Sequence, residues 1–150
     1  MRPAPLPSGP EHATRPARRQ GSAGLEAALV TLVFVAMLIG IFDLGQILFV
    51  QQTFVARVRS AARYGVVRAY DAEAIRNTVL FGQPAAPEGM TSGIFGLTPG
   101  MVSVTRSDVG ASEERITVTI AGYPYRLFSP WIGGAMTGRP VTISLPVEMP

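Results

Sequence analysis

The sequence predicts an α+β protein in which a long N-terminal helix crosses a membrane with its first half and packs its second half on a small antiparallel β-sheet. Three observations carry this prediction. From Ala27 to Phe42 there is neither a charge nor a proline, and the apolar character resumes at Leu44 and runs to Val50, interrupted only by Asp43, Gly45 and Gln46. Farther on, Ile47, Val50, Phe54, Val58, Ala61 and Gly65 recur at spacings of three and four, one face of a helix. Near the C-terminus the period changes to two, the signature of half-buried strands.

Residues Met1 to Gln20 are rich in proline and arginine, contain His12, the sole histidine, and show neither period. They read as a disordered tail. Arg2, Arg15, Arg18 and Arg19 face a single acid there, Glu11, so the positive-inside rule puts this end in the cytoplasm and the remainder outside. A removed secretory signal is the rival reading. The apolar run is too long for one, no A-x-A-like site closes it and Glu26 stands at its head, so a retained anchor is expected. Leu25 to Val50 would make a helix of roughly 38 Å, more than the hydrocarbon core of a bilayer requires.

The apolar stripe continues past the span, with Arg59 and Arg63 on the opposite side beside Gln52 and Ala56, as in a helix half covered by protein. Asp71 is placed to cap a short second helix from Ala72 to Phe81, with Glu73 in its first turn and Gly82 beyond its end. Pro84, Pro87 and Gly89 predict a loop. Three strands follow, marked by Val102 and Val104; by Ile116, Val118 and Ile120; and by Val141, Ile143, Leu145 and Val147. Pro146 cannot donate to a ladder, which places the last strand at an edge. The domain expectation is a basic cytoplasmic leader over 1–21, a transmembrane and extended amphipathic helix over 22–70, and an extracytoplasmic α+β domain over 71–150.

Little in the chain points to catalysis. There is no cysteine, hence no disulfide, thiolate zinc site or thiol nucleophile. His12 lies in the tail, so neither a Ser-His-Asp arrangement nor a histidine metal site is expected. Glu113 and Glu114 are neighbours in a predicted turn and read as solvated acids that point apart. Gly133-Gly134 lacks the lysine of a phosphate cradle. Tyr123, Tyr125, Phe128 and Trp131 are expected to plug the end of the sheet, with a partner-binding patch as the alternative. No enzyme activity and no cofactor or metal are expected. All thirteen basic residues are arginines, but those beyond Ser60 are balanced by acids, so no nucleic-acid partner is expected either.

The polar groups of the span are more informative, since a charge near mid-bilayer costs at least ~2.5 kcal/mol. Glu26 and Asp43 are separated by about 26 Å of helix, so each can sit near one face of the bilayer. That is the reading preferred for Asp43, with helix packing as the alternative. Ala36 and Gly40 form a small-xxx-small pair that permits close helix contact.

Arg18-Arg19-Gln20-Gly21, followed by Ser22-Ala23-Gly24-Leu25-Glu26, resembles the processing site of type IV prepilins and pseudopilins. The stretch Ile41-Phe42-Asp43-Leu44-Gly45-Gln46 and the turns Arg57-Val58-Arg59-Ser60-Ala61-Ala62-Arg63-Tyr64-Gly65 resemble, more narrowly, the TadE-like family of the tight-adherence (Tad, Flp) pilus system. The resemblance is specific from Gly21 to about Tyr70 and architectural beyond. Ala27, where an aromatic is common, sets the chain apart from the major Flp pilin, which is also far shorter. What the resemblance implies is a pilin-like fold and a minor pilin or pseudopilin of the inner membrane. It further implies cleavage between Gly21 and Ser22 by a prepilin peptidase, with Glu26 as an assembly and recognition residue. The implied partners are the lipid bilayer, other pilin-like subunits and the inner-membrane secretion platform. The competing readings are an unprocessed single-pass anchor with an envelope partner, and a DNA-uptake pseudopilin.

Overall fold

The computed structural model describes residues 20–111, 113–129 and 136–147. The arginines of the leader, His12, Trp131 and Gly133-Gly134 lie outside them. Helix α1 runs unbroken from Gln20 to Val67, and α2 spans Ala72–Phe81. Strands β1 (Val102–Ser107), β2 (Arg115–Ile120) and β5 (Val141–Pro146) form one sheet, while β3 (Pro124–Tyr125) and β4 (Met136–Thr137) form a separate short ladder. The α+β expectation of a long helix packed on a small antiparallel sheet describes this architecture.

Contacts divide the chain into two units, one ending at Leu38 and the other beginning at Ile39. In the first unit the described residues belong to α1, and the side chains of Leu25, Leu29, Val30, Leu32, Val33, Phe34 and Met37 are exposed. Within the run from Ala27 to Leu38, Thr31 is the polar residue, and its hydroxyl donates to the Ala27 carbonyl at 2.8 Å, which removes the cost of an unpaired donor in an apolar setting. The helix between Ser22 and Val67 is long and apolar enough to cross a membrane.

The second unit is built on the stripe read from the sequence. Val50, Phe54, Val58, Ala61 and Ala62 of α1 are buried in one core with Ile75, Val79 and Leu80 of α2 and with Ile116, Val118 and Ile120 of β2. Arg59 and Arg63 are exposed, as the opposite face should be. The sheet order is β1-β2-β5, all antiparallel, with Val104 opposite Val118 and Val118 opposite Ile143. Because β2 is central, its apolar face is fully covered; β5 lies at an edge, where Pro146 was expected. The other face is wet and carries hydroxyl pairs, Thr117 with Ser144 and Thr119 with Thr142, each at 3.0 Å.

Local chemistry sets the connection between the helices. The Asp71 carboxylate accepts the backbone N–H groups of Glu73 and Ala74 at 2.9 and 3.2 Å, and Gly82 closes α2 with φ of 79°, which a residue without Cβ adopts freely. Gly65 of α1 lies close against Ile75 of α2. A Cβ there would lie 2.7 Å from Ile75 Cδ1 and 3.4 Å from Ile116 Cδ1, so a larger residue would push α2 and β2 away.

Candidate functional site

Gly21 and Ser22 lie in the first turn of α1, where the N–H groups have no intrahelical acceptor and the backbone is easiest to unwind. Ser22 and Glu26 are exposed, one turn apart on the same side of the helix. The Glu26 carboxylate belongs to a helix whose following turns are almost entirely apolar. Farther along α1, a Cβ built at Gly40 would meet nothing within 4 Å. Ala36, one turn before it, is half-buried.

Asp43 departs from the picture of an acid merely parked at a bilayer face. It is 3% exposed, and its two carboxylate oxygens accept the successive backbone N–H groups of Phe128 and Ser129 at 2.7 and 3.0 Å. Its packing partner is a loop of its own domain. Beside this tie the rings of Phe42 and Phe128 meet edge to face, 5.6 Å between centroids. The carboxylate satisfies two donors of an irregular segment, and those donors compensate the desolvated charge.

The aromatic loop divides. Tyr123 and Tyr125 do plug the end of the core: Tyr123 packs edge to face on Phe54 at 4.8 Å and on Tyr125 at 5.2 Å. Their hydroxyls donate to the Phe95 carbonyl at 2.9 Å and to Gln51 Oε1 at 3.3 Å. Burial pushes both phenols above their ordinary pKa. Phe128 does not share in the plug and is 73% exposed. A groove of about 510 Å³ lies alongside, lined by Gln46, Phe49, Phe95, Tyr123 and Arg126 among others.

The reading of Glu113 and Glu114 as a solvated pair holds for Glu113 only. Glu114 is 2% exposed; it is paired with the Arg106 guanidinium and accepts the Gly110 N–H at 2.9 Å. The hydrogen bond from Arg106, helped by that of Gly110 and opposed by burial, holds its carboxyl below the usual glutamate range. Arg106 lies opposite Ile116 in the register, so its side chain starts on the apolar face, and a carboxylate near the sheet end is what lets the charge stay there. That placement was readable from the alternation Val102, Val104, Arg106. The Asp43 tie had no such local signal.

No curated protein and no solved structure matched this chain. Residues 21–63 match the family model described as TadE-like protein, which takes in the Gly21–Glu26 segment, the Asp43 step and the arginine–alanine turns and ends before α2 and the sheet. Over that stretch, from the expected processing glycine to the helix under the β-sheet, the chain is similar to the TadE-like family.

Proposed function

We propose that this is a structural or assembly subunit of a Tad-type adherence pilus, a minor pilin or pseudopilin, held in the inner membrane with its N-terminus cytoplasmic and its C-terminal domain outside. The observation that carries the reading is the match over residues 21–63, in which a glycine, then a glutamate five residues on, opens a helix able to cross a membrane. A prepilin peptidase cuts between Gly21 and Ser22. Glycine leaves no side chain to obstruct the enzyme, and the cut frees the α-amine of Ser22, largely protonated at neutral pH. That cation lies about 6 Å along the helix from Glu26. In an apolar bundle of such helices a lone carboxylate would be costly, whereas one paired with the amine of its own or a neighbouring subunit is not. Other pilin-like subunits and the secretion platform are then the partners, and the protein performs no catalysis.

Mass spectrometry of the protein purified from pilus-producing cells tests this. A chain beginning at Ser22 is expected, Gly21→Leu should leave the longer chain, and Glu26→Ala should be cut but fail to support piliation. An intact Met1 terminus in piliated cells would overturn the proposal in favour of an unprocessed anchor.

A further inference from the structure

We infer that the loop Arg126–Ser129 is a second membrane contact of this protein, an interfacial anchor that sets Phe128 among lipid chains at the outer edge of the hydrocarbon and Arg126 against lipid phosphate. The inference requires that α1 crosses a bilayer; it does not require processing or pilus assembly.

The Asp43 tie fixes where the loop sits, because the Phe128 and Ser129 amides are held at 2.7 and 3.0 Å from a carboxylate within the apolar stretch of α1. At that level the uncovered helix surface is apolar: Ile41, Phe42, Leu44, Leu48 and Phe49 are all exposed large hydrophobic residues. Counting from Leu25, ~30 Å of hydrocarbon takes about 20 residues at 1.5 Å each, which ends the apolar layer beside Asp43 and leaves Leu48 and Phe49 in the headgroup region. A loop bonded to Asp43 therefore shares that boundary. Phe128 extends the lipid-facing surface of Phe42, its edge-to-face neighbour.

The composition of the loop suits such a position. Irregular backbone is tolerated at membrane depth only where its polar groups are satisfied, and Asp43 accepts two of the loop's amides, those of Phe128 and Ser129. Between Ala121 and Ser129 the only charged residue is Arg126, which is exposed. A guanidinium near Tyr123 and Phe49 at the headgroup level matches lipid phosphate in charge and in its forked donors.

The test uses the full chain with Trp131→Phe, so that one introduced tryptophan reports position. Phe128→Trp, Phe42→Trp and Val109→Trp variants are reconstituted in phosphatidylcholine–phosphatidylglycerol vesicles containing lipids brominated along the upper acyl chain. Val109 is exposed in the β1–β2 turn, at the end of the domain where Arg106 lies 5.1 Å over the Tyr70 ring. The tryptophan at 128 is expected to be quenched as strongly as that at 42 and several-fold more than that at 109. Adding Asp43→Asn, which cannot accept both amides, should reduce quenching at 128 and leave 42 unchanged. Water-like emission at 128 without quenching, in a sample where 42 is quenched, would overturn the inference. Blue-shifted, unquenched emission that disappears on diluting the protein in lipid would overturn it too, assigning Phe128 to contact with a second copy of the chain.

Discussion

Two buried carboxylates hold loops at opposite ends of the same domain, and they do it differently. Glu114 reaches eight residues back to Arg106 and four back to the Gly110 amide, closing a hairpin turn with a formal cation at hand. Asp43 reaches across 85 and 86 residues to two neutral amides. The near tie shapes a turn that the chain would visit anyway. The far one joins the helix to a loop near the C-terminus, and closing so long a loop is entropically costly until the core has formed. A cation is affordable at the end where water can reach Arg106; at the Asp43 end, where the surrounding helix surface is apolar, only backbone dipoles are used. The counter-group each acid receives thus goes with how apolar its surroundings are.

The largest effect is expected where both regions share a support. Ile116 is 1% exposed beneath α1 and α2, and Ile116→Ala should cost about 2–5 kcal/mol, lowering the thermal midpoint of the whole domain and loosening both ties together. If amide exchange rose at only one end, the two regions would not be parts of one cooperative core. Asp43→Ala comes next and should act locally. Exchange of the Phe128 and Ser129 amides should become fast while Gly110 stays protected, and equal loss at both ends would undo the distinction between a far tie and a near one. The smallest change is the pH response of Glu114. Its folded pKa is depressed, so the stability it contributes is present above the ordinary glutamate value of 4.5 and is lost as pH falls through the lower folded value. Protection of Gly110 should therefore decline only in that acid range, and Glu114→Gln should abolish the dependence; a wild-type loss beginning near neutrality would point to a different group.

Features set by near neighbours were legible in the sequence. The Asp71 cap, the Gly82 terminus, the α1 stripe and the alternation of three strands all depend on residues within a turn or two, and each stands where the pattern put it. The edge position of β5 followed from a missing N–H at Pro146. What stayed hidden depends on contacts made only after collapse: the partners of Asp43, the two-residue ladder of β3 and β4, and the burial of Glu114 beside an exposed Glu113. The sequence sets the helix apart from the α+β part at Tyr70, whereas contacts group everything from Ile39 onward, because the stripe on α1 from Val50 to Ala62 is the floor of the sheet's core. The reading of Gly21, Ser22 and Glu26 rests on spacing along the chain alone, and the fold adds only that Ser22 and Glu26 are exposed.

The frame of β5 bears on crowding. Val147 donates to the Glu114 carbonyl at 2.8 Å, so alternation turns its neighbour Pro146 toward the open side of the sheet. Pro140 stands just before the strand begins. A foreign strand seeking to add to this margin finds a template only from Val141 to Leu145, ended by a residue with no N–H to offer. Where many copies meet at one membrane site, that short and interrupted margin disfavours edge-to-edge aggregation.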